Sequence, residues 1–414
     1  SDLVIVSIMS GHVGSLSDKQ AAILEEFRQN VSDLLKPHHD DYYLLRWLRA
    51  RKFDLKKSEA MLRNHFRWRE ENNVDTILED FQPPEVMKKY YPGGLFGQDK
   101  EGSLIWVDPT GYIDLKGLLM SIKKQDILKS KIQLLEEFYK LFDILSEKQG
   151  RQVDQIVILF DLEKFGLKHL WKPGIDVFTD ILTIFEDNYP ETLKRTYVLN
   201  APRVFPIAFN LIKPFLSEET VRKVTICGAN YKEVLLQHID ADQLPAHWGG
   251  TCVDPDGNPR CPSKINPGGE VPKSYYQQNN IVDLTGFTEA TVGRGSSLQL
   301  DFSIDEVGSA LRWQFKTDGF DIGFGIYRRT EDKKQKAGDM EPIITSQKVN
   351  SHMFPEEGSM HCKHPGTYIV RFDNTHSWVR SKKLYYLIEI LKPDTQDFVL
   401  PKVESDASLA SSLT

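Results

Sequence analysis

The chain has 414 residues, 40% of them hydrophobic and 27% charged, with a net charge of −7. Domains ordinarily hold roughly 100–200 residues, so two or three are expected. The acidic balance argues against a nucleic-acid binder and leaves any anionic ligand to a local basic patch. No apolar run reaches the roughly 18 residues of a spanning helix. Cys227, Cys252, Cys261 and Cys362 lack zinc-ligand spacing, so free thiols in a reducing compartment are expected.

Ser1–Ile8 is mildly apolar but lacks the basic start and length of a signal peptide, and residues 1–14 are expected to be poorly ordered. Ser17-Asp18-Lys19-Gln20 reads as a capping box, in which the serine hydroxyl and the glutamine amide each satisfy a backbone N–H at the start of a helix. Ile23, Leu24, Phe27, Val31, Leu34 and Leu35 then follow at helical spacing up to Pro37. Further helices are predicted over 41–50 and 55–72, so 15–75 forms a helical subdomain.

After Pro83-Pro84 the period changes. Strands are predicted over 103–107, 155–161, 195–200 and 224–227, with helices over 125–148, 174–187, 205–216 and 232–239. Apolar strands alternating with helices predict a mostly parallel sheet covered by helices, so 76–250 is an α/β domain. Turn residues over 251–274 form a linker. Period-two segments over 298–304, 310–316, 322–328, 367–373 and 384–391 predict an all-β sandwich spanning 275–392. The polar, serine-rich stretch 393–414 is expected to be disordered.

Chemistry-bearing motifs are absent. There is no Gly-x-Ser-x-Gly elbow and no phosphate-binding glycine loop. His38-His39-Asp40-Asp41 precedes a helix, where acidic groups favour the positive dipole end, and reads as a helix start rather than a metal site. Neither an enzyme nor a metal or cofactor site is expected.

Leu44–Asp54 (LLRWLRARKFD) resembles the CRAL-TRIO lipid-binding family. Its other hallmarks follow in order: IVILFDLEKFG, Asn188-Tyr189-Pro190-Glu191, Asn200-Ala201-Pro202, Lys213-Pro214-Phe215-Leu216, Leu244-Pro245 and Gly249-Gly250. LRWQF, Asp321–Gly325 and GTYIVRFDNTHSW resemble a GOLD domain, a jelly-roll-like sandwich. The resemblance implies a cytosolic lipid carrier that visits membranes transiently. It also implies a deep apolar pocket whose mouth is gated by a mobile helix, here bearing Phe205, Phe209, Leu211, Ile212 and Phe215. Phe209 and Leu211, two residues apart, do not share a helix face, so the gate that the resemblance implies would turn one toward the pocket and the other toward the membrane.

For founding members that exchange phosphatidylinositol, the resemblance implies a headgroup site at Arg51, Lys52, Glu191, Thr220 and Lys223. A second, phosphatidylcholine site in those members uses hydroxyl side chains where this chain has Trp106, Ile156 and Ile158. A choline phosphate there would lose its hydrogen-bond partners, at a cost of roughly several kcal/mol. With Phe160 on the same strand face, the pocket suits an apolar lipid of the tocopherol, squalene or retinoid class. The alternative is an adaptor that reaches a membrane or enzyme partner through its GOLD domain, with lipid occupancy tuning the contact.

Overall fold

The computed structural model describes residues 10–277, 283–331 and 335–394. The expected disorder of 1–14 therefore falls partly outside the described residues, as does that of the tail beyond 394. Ser10–Gly14 are placed: Gly11 N–H donates to the Ser15 carbonyl at 3.1 Å, and the Gly11 carbonyl accepts from Arg49 Nη1 at 3.3 Å.

The first layer is helical: α1 (Asp18–Asn30), α2 (Asp41–Ala50) and α3 (Leu55–Glu71). The predicted capping box forms, with Ser17 Oγ accepting from Gln20 N–H at 3.1 Å and Gln20 Oε1 from Ser17 N–H at 2.9 Å. Asp40 caps α2 and Asp54 caps α3 in the same manner, each accepting from the backbone N–H three residues on. Phe27, Leu44, Leu45, Trp47, Leu48 and Leu62 bury their rings and branches between the three helices.

Short helices α4 (Ile77–Asp80) and α5 (Glu85–Tyr90) lead into the α/β domain. There follow β1 (Gly94–Gln98), β2 (Leu104–Asp108), α6 (Leu115–Ser121), α7 (Lys124–Gln149), β3 (Ile156–Asp161), α8 (Lys172–Asn188), β4 (Leu193–Leu199), α9 (Phe205–Ile212), α10 (Glu218–Arg222), β5 (Val224–Ile226) and α11 (Tyr231–His238). The sheet order is β1-β2-β3-β4-β5; β1 runs antiparallel to β2, and the other pairs are parallel. Alternation sorts the side chains. Ile105, Val107, Val157, Leu159, Tyr197 and Leu199 pack on one sheet face against Leu235, Leu244 and Trp248. Trp106, Ile156, Ile158, Phe160, Thr196 and Val198 point to the other face, which is the floor of a cavity. The helical subdomain is anchored to the wall by Arg69, whose guanidinium makes two parallel bonds to Glu136 on α7 at 2.9 and 3.0 Å, while Tyr189 Oη donates to the same carboxylate at 2.7 Å.

The C-terminal domain contains β6 (Thr288–Val292), β7 (Ser297–Ile304), β8 (Ala310–Thr317), β9 (Ile322–Arg328), β10 (Glu341–Val349), β11 (Glu356–His361), β12 (Gly366–Asp373) and β13 (Lys382–Leu391). They form two four-stranded antiparallel sheets, β10-β9-β12-β7 and β11-β8-β13-β6. Phe315, Phe324 and Phe372 close the space between the sheets with Trp313 and Leu384. This sandwich docks on the α/β domain: Arg312 Nη1 donates to the Leu170 carbonyl at 2.6 Å and Ser359 Oγ to the Leu167 carbonyl at 3.1 Å.

Candidate functional site

Above the sheet floor lies a cavity of about 760 Å³. Its walls come from α7 (Leu134, Leu135, Phe138) and α8 (Phe178, Ile181, Phe185), and its lid from α9. All four sequence-predicted pocket residues line it: Trp106, Ile156, Ile158 and Phe160. Trp106 and Ile158 are register partners across β2 and β3, so the indole and the isoleucine sit side by side on the floor. The chain can pass under that indole only at Gly93, since a Cβ there would lie 2.4 Å from the ring and the backbone has φ +117°.

The lid has two faces. Phe205, Phe209 and Ile212 line the cavity, as helical spacing allows for residues three or four apart. Val204, Ile207 and Leu211 cluster the other way, with Leu170 and with Ala310 and Leu391 of the sandwich, while Ala208 touches both sides. Phe209 and Leu211 therefore do point to different sides, but the outer side meets the β-sandwich rather than solvent. Phe215, expected on the same helix, lies past its end in a tight turn over Lys213–Phe215 and is exposed. The lid is further tied down where Asn210 Nδ2 donates to the Lys392 carbonyl at 3.1 Å and Asp394 N–H to the Pro206 carbonyl at 2.9 Å.

All five predicted headgroup residues border the same cavity, at the end where α2, the start of β4 and α10 converge. Their states differ. Arg51 Nη1 donates only to the Ala50 carbonyl, at 3.0 Å; among the described residues neither Arg51 nor Lys223 has a carboxylate within 4.0 Å. Lys52 is solvent-exposed, with Glu218 at 3.9 Å. Thr220 Oγ1 accepts from Ser217 Oγ at 2.9 Å. Glu191, in a left-handed backbone conformation at φ +62°, faces Arg49 Nε at 3.5 Å. Arg49 was not among the predicted residues, and with His12 it completes this polar end. Burial pulls the Arg49 guanidinium below its usual range, against the pull of Glu191, and likewise lowers His12.

A second polar group lies elsewhere in the wall and was also not predicted. Lys131 on α7 borders the cavity with Asp108, Thr110, Trp106 and Tyr91. Asp108, at the end of β2, accepts from Thr110 Oγ1 at 2.8 Å and from Trp106 Nε1 at 3.2 Å.

Behind the sheet, Asp161, Glu163 and His247 bring ligand-type atoms within 4.8 Å of one another. Asp161 already accepts from Trp248 Nε1 at 2.9 Å, Asn200 Nδ2 at 2.8 Å and Glu163 N–H at 3.0 Å, and Glu163 pairs with Arg260 at 2.8 Å. With the acidic groups so engaged, the cluster reads as a brace between β3 and the loops over 200 and 248.

Residues 88–250 match the CRAL/TRIO domain and residues 23–64 the CRAL/TRIO N-terminal domain. The protein real-time of Aedes aegypti is 29% identical, covering 92% of this chain and 62% of its own. A CRAL-TRIO domain-containing protein of Caenorhabditis elegans is 32% identical, covering 77% of this chain and 46% of its own. The chain thus spans about half to three-fifths of the length of these curated relatives. Among solved structures, that of Sfh5 aligns with a TM-score of 0.47 at 19% identity, covering 58% of this chain and 90% of that one.

Proposed function

For a chain that carries a CRAL/TRIO domain preceded by its N-terminal domain, we propose the function of a lipid carrier that holds one apolar lipid and exchanges it at membranes. The observation that carries this reading is the cavity of about 760 Å³, floored by Ile156, Ile158 and Phe160 and lidded by Phe205 and Phe209. A lipid in water exposes surface worth about 0.8 kcal/mol per CH2, and an enclosed apolar cavity recovers that free energy. Release then requires the lid to move. A lid with an apolar inner face can swing toward a bilayer interface, provided that its contacts with the sandwich let go.

The floor supports an apolar ligand class. With Ile156 and Ile158 where hydroxyls would be needed, a choline phosphate headgroup loses those hydrogen-bond partners, which supports tocopherol-, squalene- or retinoid-class lipids as the better fit. At the other end, Arg51 and Lys223 offer charge-assisted donors to a phosphodiester, which supports phosphatidylinositol as an exchange partner. The test is competitive displacement of a fluorescent lipid. Isoprenoid lipids should displace it better than phosphatidylcholine, and the opposite order would remove this reading.

A second reading is favoured by one feature of the sandwich. Trp378 is 84% and Phe354 72% exposed, and they lie on the loops β12–β13 and β10–β11, at the end of the sandwich away from the lid. Large exposed aromatics mark contact surfaces, which supports a GOLD-type adaptor role alongside lipid carriage.

A further inference from the structure

Lys131 is only 9% exposed, yet among the described residues its ammonium has no hydrogen-bond acceptor and no carboxylate within 4.0 Å. Its neighbours are rings: Nζ lies 3.4 Å from the centroid of Tyr91 and 5.8 Å from that of Trp106. Cation–π contact offsets part of the cost of burying the charge and turns an N–H toward the Tyr91 ring, but it gives the ammonium no oxygen acceptor. Asp108 faces the same part of the cavity, and each carboxylate oxygen, having accepted one bond, retains a free lone pair. Ammonium and carboxylate are more than 4.0 Å apart, so they form no direct ion pair, and both flank the Trp106 indole at the cavity wall.

We propose that Lys131 and Asp108 form a hydroxyl-binding site that fixes the polar end of a lipid alcohol or phenol. The proposal rests on the carrier reading above and narrows its ligand class. The hydroxyl oxygen accepts from Lys131 Nζ, and its proton is donated to Asp108. Each alternative fails one partner. A carboxylic acid brings a second negative charge beside Asp108. An ether or carbonyl accepts from Lys131 but has nothing to donate. A pure hydrocarbon seals an unpaired ammonium under apolar surface, which is among the costliest arrangements a protein interior can hold. The electrostatic state of the pair fits this role: burial lowers Lys131 to about 8 and pushes the Asp108 carboxyl above its usual range, while each partner opposes the other's shift. A hydroxyl joined to both would relieve both.

The test uses the full chain and three matched probes: phytol, its methyl ether and the parent hydrocarbon phytane. Displacement of a fluorescent lipid is measured for the parent protein and for Lys131→Met, which keeps the side chain's length and removes its charge. The parent should bind phytol at least tenfold more tightly than phytane, with the ether between them. In Lys131→Met the order should collapse, with phytane bound as well as phytol; its uptake of phytane also reports an intact pocket. Equal binding of phytol and phytane by the parent overturns the hydroxyl site and leaves the carrier reading standing. A parent that takes up none of the three overturns both.

Discussion

Lys213 Nζ lies 3.1 Å from Asp394 Oδ2, and this ion pair ties the end of the α9 lid to the chain leaving the β-sandwich. The carboxylate is buried, at 4% exposure, whereas the lysine is 37% exposed. The pair therefore does more than an open surface bridge, and the lysine's solvent access keeps its contribution to roughly 1 kcal/mol. Outward movement of α9 would break it, together with the Asn210–Lys392 and Asp394–Pro206 bonds beside it.

Lipid exchange should accordingly speed up when this latch is cut. Lys213→Ala or Asp394→Asn is expected to raise the rate of lipid release to vesicles about fivefold, the kinetic equivalent of roughly 1 kcal/mol. Fluorescent lipid transfer measures it, with thermal melting as the control for folding. Unchanged release from both folded variants would show that the latch stays intact during exchange.

The two faces of the lid should give separable phenotypes. Phe209→Ala opens a gap in the inner face and should reduce lipid retention, with a stability cost of roughly 3–5 kcal/mol if the gap does not collapse. Leu211→Asp acts on the contact with Ala310 and Leu391 and should mimic the latch variants. Combined with Asp394→Asn it should add little further rate, because both changes release the same contact. Fully additive rates would place Leu211 outside the latch.

Arg51→Ala or Lys223→Ala should weaken capture of phosphatidylinositol while leaving apolar lipid bound. Losing a charge-assisted hydrogen bond costs roughly 1.5–3 kcal/mol, which is about tenfold or more in affinity. Lys52→Ala, on a side chain that is solvent-exposed, should do much less. Vesicle extraction assays on the three variants check the ranking.

Removing the buried charge should stabilise the empty protein. Lys131→Met is expected to be more stable than the parent at neutral pH by roughly 1–3 kcal/mol. The sign with pH follows from the lowered folded value of about 8 against an ordinary value of 10.5. Between these values the unfolded parent binds more protons than the folded parent, so the parent gains stability as pH rises. The advantage of the variant should therefore shrink between about pH 8 and 10.5. Denaturant melts of ligand-free protein across that range measure it, and a constant gap would mean that Lys131 is not a strained buried cation.

Much of the architecture was legible because it rests on local chemistry. The capping box at Ser17 and the apolar run at Ile156–Asp161 both formed where their patterns placed them. Some elements that escaped lack such patterns: β1 contains Gly94 and Gly97 and β11 reads Glu-Glu-Gly-Ser-Met-His, so neither propensity nor alternation marks them. β6 and β10 carry β-branched residues but are short or open on Glu-Pro, and they were missed for want of a clear alternation. The lid helix ends at Ile212 rather than Leu216 because Pro214 follows and cannot continue the backbone ladder. The sandwich against the outer face of α9 was invisible from sequence because α9 and the end of β13 meet only through the tertiary fold. Arg49 was passed over for its neighbours in the same basic motif. Lys131 did carry a signal: it sits four residues after Ile127 and four before Leu135, inside the apolar stripe of α7, where a lysine has no reason to be for solubility.

The central claim is that the cavity carries lipid, and mass spectrometry of organic extracts from the purified protein tests it most directly. The account predicts an extractable apolar lipid at about one molecule per chain, or its uptake when the empty protein is offered vesicles, and it predicts that the lipid bears a hydroxyl. A folded protein that yields no lipid and takes none up would contradict the account.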